Sequence, residues 1–464
     1  MSRVLIMFCA LLCLAADDPA AVRSRIVFGS CVHQDKPQPF WDAVVGMKPD
    51  LFIFAGDNIY GDTVDMDVLR AKYKKLGDEP GYQKLLKICP VIATWDDHDY
   101  GANDAGAEYP KRDESQQVFL DFFGFAKDSA LRTQKGVYQS YTYGPPEKSV
   151  QVILLDTRYH RSPLRKKPKI IPNEGPFEAT FDKTTTILGE EQWKWLGEEL
   201  KKPAKLRLIV SSIQVLSQEH NWEKWANFPH ERERLFKLLL ETKAEGVVIL
   251  SGDRHHAELS VFDAGLSYPL FDLTSSGLNE GFKRWRFPEA NRHRVAAMFS
   301  GNNFGSILID WSQADPSVRL QVRDEAGEVI SQEKISLGLL KPGLMKSKGG
   351  VSMSVATMNG EPFDVDRLKT FLDKEVTLET NIPATGMNKN GTLIFLNTMT
   401  DRNSPLNITV VINKKVGDAL KAGGIADLRA HYMGKTVRVV GTLSMFQDRP
   451  QIMLTEASKI TVKE

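Results

Sequence analysis

The sequence predicts an α/β domain followed by a small β-barrel. In the longer N-terminal part, apolar runs typical of buried strands alternate with helical stretches, which indicates helices layered on sheets. Beyond Met358, five strand-like runs follow one another with a short helical stretch after the third, the order of an OB-fold barrel. A chain of 464 residues is also too long for one ordinary core, so we expect at least two domains.

The composition is that of a soluble globular protein. Hydrophobic residues make up 42% and charged residues 26% of the chain, and the formal net charge is +1. This near-neutral balance gives no support to a general polyanion-binding surface. Two of the four cysteines lie in the N-terminal apolar segment, and the other two, Cys31 and Cys89, could form one disulfide in an oxidising compartment.

The first residues have the features of a secretory signal peptide. Arg3 precedes an apolar run over residues 4–14, which ends at Ala15 and Ala16. This run is shorter than the roughly 20 residues that a membrane span needs. We therefore expect a secreted or periplasmic protein without a membrane span. Cys13 loosely resembles a lipoprotein processing site, so lipid anchoring stays an alternative to free secretion.

Six predicted strands of the N-terminal part end in small or polar residues. They cover residues 25–28, 51–55, 91–94, 150–155, 206–210 and 247–250, and a helix is predicted over 39–47. In α/β sheets, ligands gather outside the carboxyl ends of the strands. Gly-Asp and Ser-Gly pairs are also good turn formers. The repeated appearance of Asp, His, Cys, Asn or Arg at these ends nevertheless favours one shared site.

The C-terminal part gives a weaker functional signal. Its strands are predicted over residues 375–382, 392–397, 406–412, 436–443 and 451–454, with a helix over 425–432. Five short strands could also close into another small β-structure. Few aromatic residues and mixed charges give little support to oligonucleotide binding, so packing or targeting is the default role.

Three strand-end motifs carry metal-binding groups. In the stretch 56–62, Gly-Asp-Asn-Ile-Tyr-Gly-Asp, Asp57 can bridge two cations and Tyr60 can fold back to supply a phenolate. The stretch 95–99, Trp-Asp-Asp-His-Asp, holds acidic groups that repel each other unless cations neutralise them. In 252–255, Gly-Asp-Arg-His, a carboxylate and an imidazole can face one metal. Phenolate and thiolate ligands favour a trivalent or soft metal, whereas carboxylates alone suit calcium or magnesium.

Together with Gly29-Ser30-Cys31 and the stretch 156–161, Asp-Thr-Arg-Tyr-His-Arg, these motifs resemble the PhoD-like alkaline phosphatase family of the calcineurin-like metallophosphoesterase superfamily. The resemblance covers roughly residues 25–338 in the family's order, and it implies a four-layered α/β/β/α sandwich with metals at its strand ends. We therefore predict four segments: a signal peptide over 1–16, a PhoD-like metallophosphatase domain over 24–338, a linker over 339–357, and an OB-like β-barrel domain over 358–464.

The resemblance also implies roles for individual residues. It implies metal ligands at Cys31, Asp57, Tyr60, Asp97, Asp253 and His255, a catalytic His98, and substrate contacts from Asn58, Asn103, Arg158 and Gln214. Fe3+ would bind Cys31, Tyr60 and His255, and Asp57 would bridge it to one or two Ca2+ ions. For Arg158, a structural salt bridge stays an alternative. Asp97 stands where the superfamily usually has Asn, and Gln214 where it has His. Both departures favour oxygen-liking cations over Zn2+. Mn2+ is also less expected, because the ions that the resemblance implies are Fe3+ and Ca2+.

The sequence therefore predicts a secreted metal-dependent phosphoesterase that hydrolyses phosphodiesters, phosphomonoesters or both by metal-activated water or hydroxide. Its substrate is a small-molecule or polymeric phosphate ester. One alternative is an exported nucleic-acid-binding protein that uses the barrel and carries a degenerate phosphatase scaffold. Another is a hydrolase of cyclic nucleotides or phospholipids on the same scaffold. In the first reading, nucleic acid is expected only as a substrate or as a weak ligand of the barrel.

Overall fold

The computed structural model describes residues 18–464 except 171–173, 263–265, 267, 283–288, 342–356, 359–360, 363–370, 383, 399–406, 447–448 and 464. The chain divides into two compact units, Met1–Leu344 and Met345–Glu464. The signal peptide predicted over 1–16 and most of the predicted linker lie outside the described residues. Within the described part, no helix is both long enough and apolar enough to cross a bilayer.

In the first unit, the described residues form two six-stranded sheets. The first sheet has the order β12-β11-β10-β1-β2-β3, and the second has the order β4-β5-β6-β7-β9-β8. Their strands are β1 Arg25–Gly29, β2 Leu51–Ala55, β3 Val91–Thr94, β4 Gln139–Tyr143, β5 Val150–Leu154, β6 Leu206–Ser211, β7 Val247–Ser251, β8 Ala257–Phe262, β9 Leu270–Ser275, β10 Asn303–Asp310, β11 Ser317–Asp324 and β12 Val329–Ser336. Strands β1, β2 and β3 are parallel to one another, as are β5, β6, β7 and β9.

Helices of the first unit cover the outer faces of both sheets. They are α1 Phe40–Gly46, α2 Met66–Gly77, α3 Pro80–Leu86, α4 Asp97–Tyr100, α5 Arg112–Phe122, α6 Gly189–Lys201 and α7 Pro229–Glu241. Side chains of β1 alternate between two cores because neighbouring residues of a strand point to opposite faces. Ile26 and Phe28 pack with side chains of the second sheet. Val27 packs with residues of α1, α2, α3 and α5 on the other face.

These packed layers fix the positions of the loops at the strand ends. Burying one Leu, Ile or Phe side chain stabilises the fold by about 1.5–3 kcal/mol, and every residue of β2, β5, β6 and β7 is buried. The six predicted strands are confirmed to within one residue at either end. The mixed α/β class predicted for this unit is therefore confirmed.

The described residues of the second unit form one mixed sheet and two helices. Its strands are β13 Thr357–Met358, β14 Glu361–Pro362, β15 Glu375–Asn381, β16 Ala384–Met387, β17 Leu393–Asn397, β18 Thr409–Asn413, β19 Thr436–Phe446, β20 Arg449–Met453 and β21 Ile460–Val462, and its helices are α8 Lys414–Ala422 and α9 Leu428–Tyr432. The pairings run in the order β14-β13-β15-β19-β20-β18-β17-β16, with β21 on β19. All five predicted strands overlap observed ones, whereas α8 was not predicted.

Candidate metal centre

Loops that follow four strands of the first unit bring metal-binding side chains together. Cys31 follows β1, Asp57 follows β2, Asp97 follows β3, and Asp253 follows β7. Among the described residues, four groups have their ligand atoms within 4.8 Å of one another: Cys31, Asp57 and His255; Asp57, Asp97 and His98; Asp57, Asp96, Asp97 and Asp253; and Asp97, Asp104 and Glu223. Asp57 and Asp97 each belong to three of these groups, so the structure places both at the centre of the cluster.

Several residues of the cluster have a left-handed backbone conformation. Positive φ angles occur at Cys31 (62°), Asp57 (49°), Asp62 (45°), Asp104 (56°), Asp253 (69°) and His255 (54°). This region costs a non-glycine residue on the order of 1–3 kcal/mol and is concentrated at functional sites. Strands β2 and β7, which precede Asp57 and Asp253, are buried at every residue and hold this strain. The strain aims the side chains at one point, which indicates a site rather than ordinary turns.

Tyr60 and His255 meet at one side of the cluster. The Tyr60 hydroxyl lies 3.1 Å from Nε2 of His255. The Tyr60 ring lies between the rings of His33 and His98, with centroid distances of 4.9 Å and 4.2 Å. Burial raises the pKa of Tyr60 well above its ordinary value, and the nearby Cys31 and Asp57 add to the rise. A cation at this position would favour the phenolate over the phenol.

Cys31 is fully buried beside Asp57 and Ser276. Its Sγ atom lies 3.4 Å from Oδ2 of Asp57 and 3.1 Å from Oγ of Ser276. Burial raises the pKa of the Cys31 thiol to about 12. The disulfide that the sequence left open is not formed, since Cys31 and Cys89 are both free and buried.

The carboxylates of the cluster carry more negative charge than their protein partners neutralise. Burial raises the pKa of Asp57 well above its ordinary value, and repulsion from Asp97 adds to it. Burial likewise raises the pKa of Asp253 to about 6. Among the described residues, Oδ2 of Asp253 and Oδ1 of Asn58 are buried without a hydrogen-bond partner. Buried acceptors of this kind, together with thiol, phenol and imidazole donors, fit a site for cations.

His98 is held by a carboxylate on its Nδ1 side. Nδ1 lies 2.8 Å and 2.9 Å from the two carboxylate oxygens of Asp62. Its backbone N–H donates to Asp97 at 2.8 Å and to Asp57 at 3.3 Å. Although burial lowers the pKa of His98, Asp97 and Asp62 raise it to about 9. With Nδ1 engaged by Asp62, Nε2 is the nitrogen that can act on a ligand.

Arg158 lies beneath the cluster in a network of buried ion pairs. Its side chain is fully buried and pairs with Asp96 and, at 2.6 Å, with Glu223. Arg161 pairs with the other carboxylate oxygen of Glu223 at 2.9 Å. Ser212 donates to Asp96 at 2.6 Å. The Arg158 side chain is fully buried in these pairs and is not among the residues that line the neighbouring cavity. Its surroundings match the alternative of a structural salt bridge, and its contact with phosphate stays a prediction.

A cavity of about 220 Å3 opens beside the cluster. It is lined by Asp97, His98, Asn103, Asp104, Trp222, Glu223, Asp253, Arg254, His255 and Phe282. Of the four predicted substrate contacts, Asn103 lines this cavity. Asn58 donates to Thr94 at 2.9 Å and to Asp99 at 2.6 Å. Gln214 donates to Glu258 and Thr274 and lies 2.9 Å from Nε2 of His220.

A protein-family model described as PhoD-like phosphatase matches residues 26–276. The chain belongs to this family. Alkaline phosphatase D of Bacillus subtilis (strain 168) is 25% identical to it over 280 residues, which is 51% of this chain and 47% of that protein. The chain thus spans about half the length of the relative that it matches. A solved structure of PhoD matches 70% of each chain with a TM-score of 0.55 and 17% identity, a likeness of fold.

Sequence reasoning missed several residues of this PhoD-like site. Asp99 joins the loops after β2 and β3, because it accepts from the backbone N–H groups of Asp57 (3.1 Å) and Asp96 (2.7 Å). Asp62 lies in the motif over 56–62, but the motif did not predict its contact with His98. Glu223 and Arg254 line the cavity without belonging to a predicted ligand set. The high density of acidic residues over 95–104 could have predicted that Asp96, Asp99 and Asp104 belong to the site. No local pattern indicates Glu223.

Proposed function

We propose that this chain is a metal-dependent phosphoesterase that hydrolyses phosphomonoesters, phosphodiesters or both. One observation carries the proposal. Thiol, phenol, imidazole and carboxylate groups from four strand ends converge beside a cavity whose lining includes His98. Phosphoryl transfer depends chiefly on positioning and charge neutralisation, and such a cluster suits both. Membership of the PhoD-like family supports the same reaction class.

The donor set divides into two kinds of cation site. Cys31, Tyr60 and His255 offer the ligands that suit Fe3+, and Asp97 and Asp253 offer the carboxylates that suit Ca2+, with Asp57 between them. Mn2+ and Zn2+ fit this mixture less well. When bound, such cations would neutralise the phosphate charge and lower the pKa of a water molecule.

The chain's own groups orient the ester and handle the proton. We assign His98 as the acid or hydrogen-bond donor at the reacting phosphate, because it lines the cavity and Asp62 fixes its ring. Asn103 and Arg254 are the amide and the guanidinium that line the same cavity. We assign them the contacts with phosphate oxygens. Arg158 would act indirectly, by holding Asp96 and Glu223 in place.

We also propose that the second unit is an OB-like β-barrel. Its pairings include β16 with β17, β17 with β18, β18 parallel to β20, β20 with β19, and β19 with β15. Strands β15 and β16 are consecutive in the chain, but they stand at opposite ends of this series of pairings. If they act as two halves of one bent strand, the order of an OB-fold results. The proposed domains are a PhoD-like metallophosphatase domain over 24–338 and an OB-like barrel over 358–464.

Export of the protein is part of the proposal. It depends on the basic start at Arg3, the apolar run over 4–14 and the small residues Ala15 and Ala16. Mass spectrometry of the protein recovered outside the cytoplasm would test it. A mature N-terminus just after Ala16 agrees with the proposal, and an intact Met1 contradicts it.

The activity is tested with 4-nitrophenyl phosphate and bis(4-nitrophenyl) phosphate in the presence of Ca2+. We expect release of 4-nitrophenol from one or both esters. His98→Asn should lower the rate by about 10²–10⁴-fold, which is the usual contribution of a general acid. His160→Asn is the matched control, because His160 contacts the Lys135 carbonyl and does not line the cavity. No turnover of any ester by the metal-loaded wild type would reject the proposal.

A further inference from the structure

The lining of the cavity beside the metal cluster combines two chemically different kinds of residue. Asp97, Asp104, Glu223 and Asp253 are acidic and would face the proposed cations and phosphate. Trp222 and Phe282 contribute aromatic rings to the same cavity. A charged phosphate group is bound by cations and hydrogen-bond donors and gains nothing from contact with apolar rings. The aromatic rings therefore require another explanation.

Trp222 is held as a rigid wall rather than as part of the core. The Arg254 guanidinium lies 5.2 Å from the centre of the Trp222 ring, in a cation–π contact. Arg254 is itself fixed by Glu289 at 2.6 Å. The nearby Trp225 is completely buried, whereas Trp222 is half-buried and faces the cavity. The contrast indicates that the Trp222 ring is presented to a ligand.

Phe282 is tied directly to a candidate metal ligand. Its backbone N–H donates to the His255 carbonyl at 3.2 Å, and the two rings lie 5.9 Å apart. Like Trp222, it is only half-buried. A group that packs on Phe282 would thus lie next to the reacting phosphate rather than at a distant part of the surface.

We propose that Trp222 and Phe282 form the subsite for the organic group of the ester, and that this group is a flat ring. The inference rests on the proposed function and adds the class of substrate to it. Aromatic rings stack on flat π-systems with a gain in affinity beyond that of the apolar area they bury. The cavity of about 220 Å3 is smaller than the pockets of roughly 300–1,000 Å3 that hold drug-sized ligands. It suits one phosphate and one ring, such as an aryl group or a nucleobase.

The experiment compares two phosphonates that bind without being hydrolysed and differ only in flatness. Benzylphosphonate and cyclohexylmethylphosphonate are titrated into the full chain with Ca2+ by calorimetry. We expect the benzyl compound to bind about fivefold to tenfold more tightly, where tenfold corresponds to about 1.4 kcal/mol. Trp222→Leu and Phe282→Leu should each reduce this preference, because a Leu side chain cannot stack on the benzyl ring. Trp195→Leu is the control, since Trp195 contacts Tyr138 and does not line the cavity.

The outcomes separate this inference from the proposed function. Hydrolysis of 4-nitrophenyl esters without any benzyl preference, or with a preference that both variants keep, overturns the aromatic subsite and leaves the phosphoesterase standing. A benzyl preference that the variants abolish, without hydrolysis of any ester, supports the subsite and rejects the activity. Failure of both phosphonates to bind rejects the subsite outright.

Discussion

The hydroxyl oxygen of Tyr60 lies 3.1 Å from Nε2 of His255, although 195 positions separate the two residues. Tyr60 follows β2 of the first sheet, and His255 follows β7 of the second. The carboxyl ends of strands from both sheets therefore meet at one place. The metal cluster lies where the two sheets converge. Loops of the first sheet supply the thiol and the phenol, and the loop after β7 of the second sheet supplies the imidazole of His255.

If Tyr60 supplies a phenolate to Fe3+, the purified protein should be coloured by a charge-transfer band. Tyr60→Phe removes the oxygen and keeps the ring between His33 and His98, so we expect the band to vanish while the fold is kept. Absorption spectra of the two proteins at equal iron content make the comparison. Tyr109→Phe is the control, because the Tyr109 hydroxyl donates to the Thr63 carbonyl rather than to a candidate metal ligand. A band that survives in Tyr60→Phe would contradict the phenolate.

Asp57→Asn should have opposite effects on the metal-loaded and the metal-free protein. Asp57 belongs to three of the four ligand groups, so its loss should lower the metal content and abolish turnover. In the metal-free protein, the raised pKa of Asp57 means that its charge destabilises the folded state at pH 8. Each pKa unit of the rise corresponds to about 1.4 kcal/mol. The neutral amide should therefore raise the melting temperature after chelation.

Calorimetry with and without chelator measures this effect, and Asp128→Asn is the matched control at an exposed position. The control should leave metal content, turnover and both melting temperatures unchanged. A metal-free Asp57→Asn protein less stable than the metal-free wild type would mean that Asp57 stabilises the fold without any cation.

Arg158→Ala should lower the free energy of unfolding, because it leaves two buried carboxylates without their partner. Arg158 is fully buried and pairs with Asp96 and Glu223. Breaking one side of such a buried pair costs about 3–5 kcal/mol. The control is Arg165→Ala, which removes an exposed pair with Glu178 and should cost no more than about 1 kcal/mol. Urea denaturation gives both values, and similar losses in the two variants would reject a structural role for Arg158.

Removal of Ca2+ should destabilise the first unit and stop turnover reversibly. A ligand that binds only the folded state at 100 times its dissociation constant stabilises that state by about 2.7 kcal/mol. We expect EGTA to lower the melting temperature, and added Ca2+ to restore both the temperature and the hydrolysis of 4-nitrophenyl phosphate. A melting temperature that EGTA leaves unchanged would count against a calcium site at Asp97 and Asp253.

The sequence predicted the parts of the site that depend on local patterns. Asp57, Asp97 and Asp253 each stand within three residues of the end of an apolar strand, and parallel strands of one sheet end at a common edge. The role of Arg158 depends on Glu223, which is 65 positions away in a segment without a motif. Such a pair exists only in the folded chain. Its position beneath the cluster could not be derived from spacing.

Helix α8 was missed for a local reason. Gly417 lies inside it, and glycine costs about 1 kcal/mol relative to alanine in a helix. In the fold, Asn413 caps the helix by accepting from the Val416 N–H at 3.0 Å. Val416 and Leu420 are buried in the core of the second unit. Gly417 also lies against Leu428 of α9, so tertiary packing outweighs the weak propensity.

Elemental analysis of the purified full chain tests the central claim most directly, with hydrolysis of both 4-nitrophenyl esters measured on the same sample with and without added Ca2+. The account predicts about one iron per chain, bound by Cys31, Tyr60 and His255, and hydrolysis that depends on Ca2+. A protein that holds no metal under any supplement and turns over neither ester would contradict it. The cluster at the strand ends would then need a different explanation.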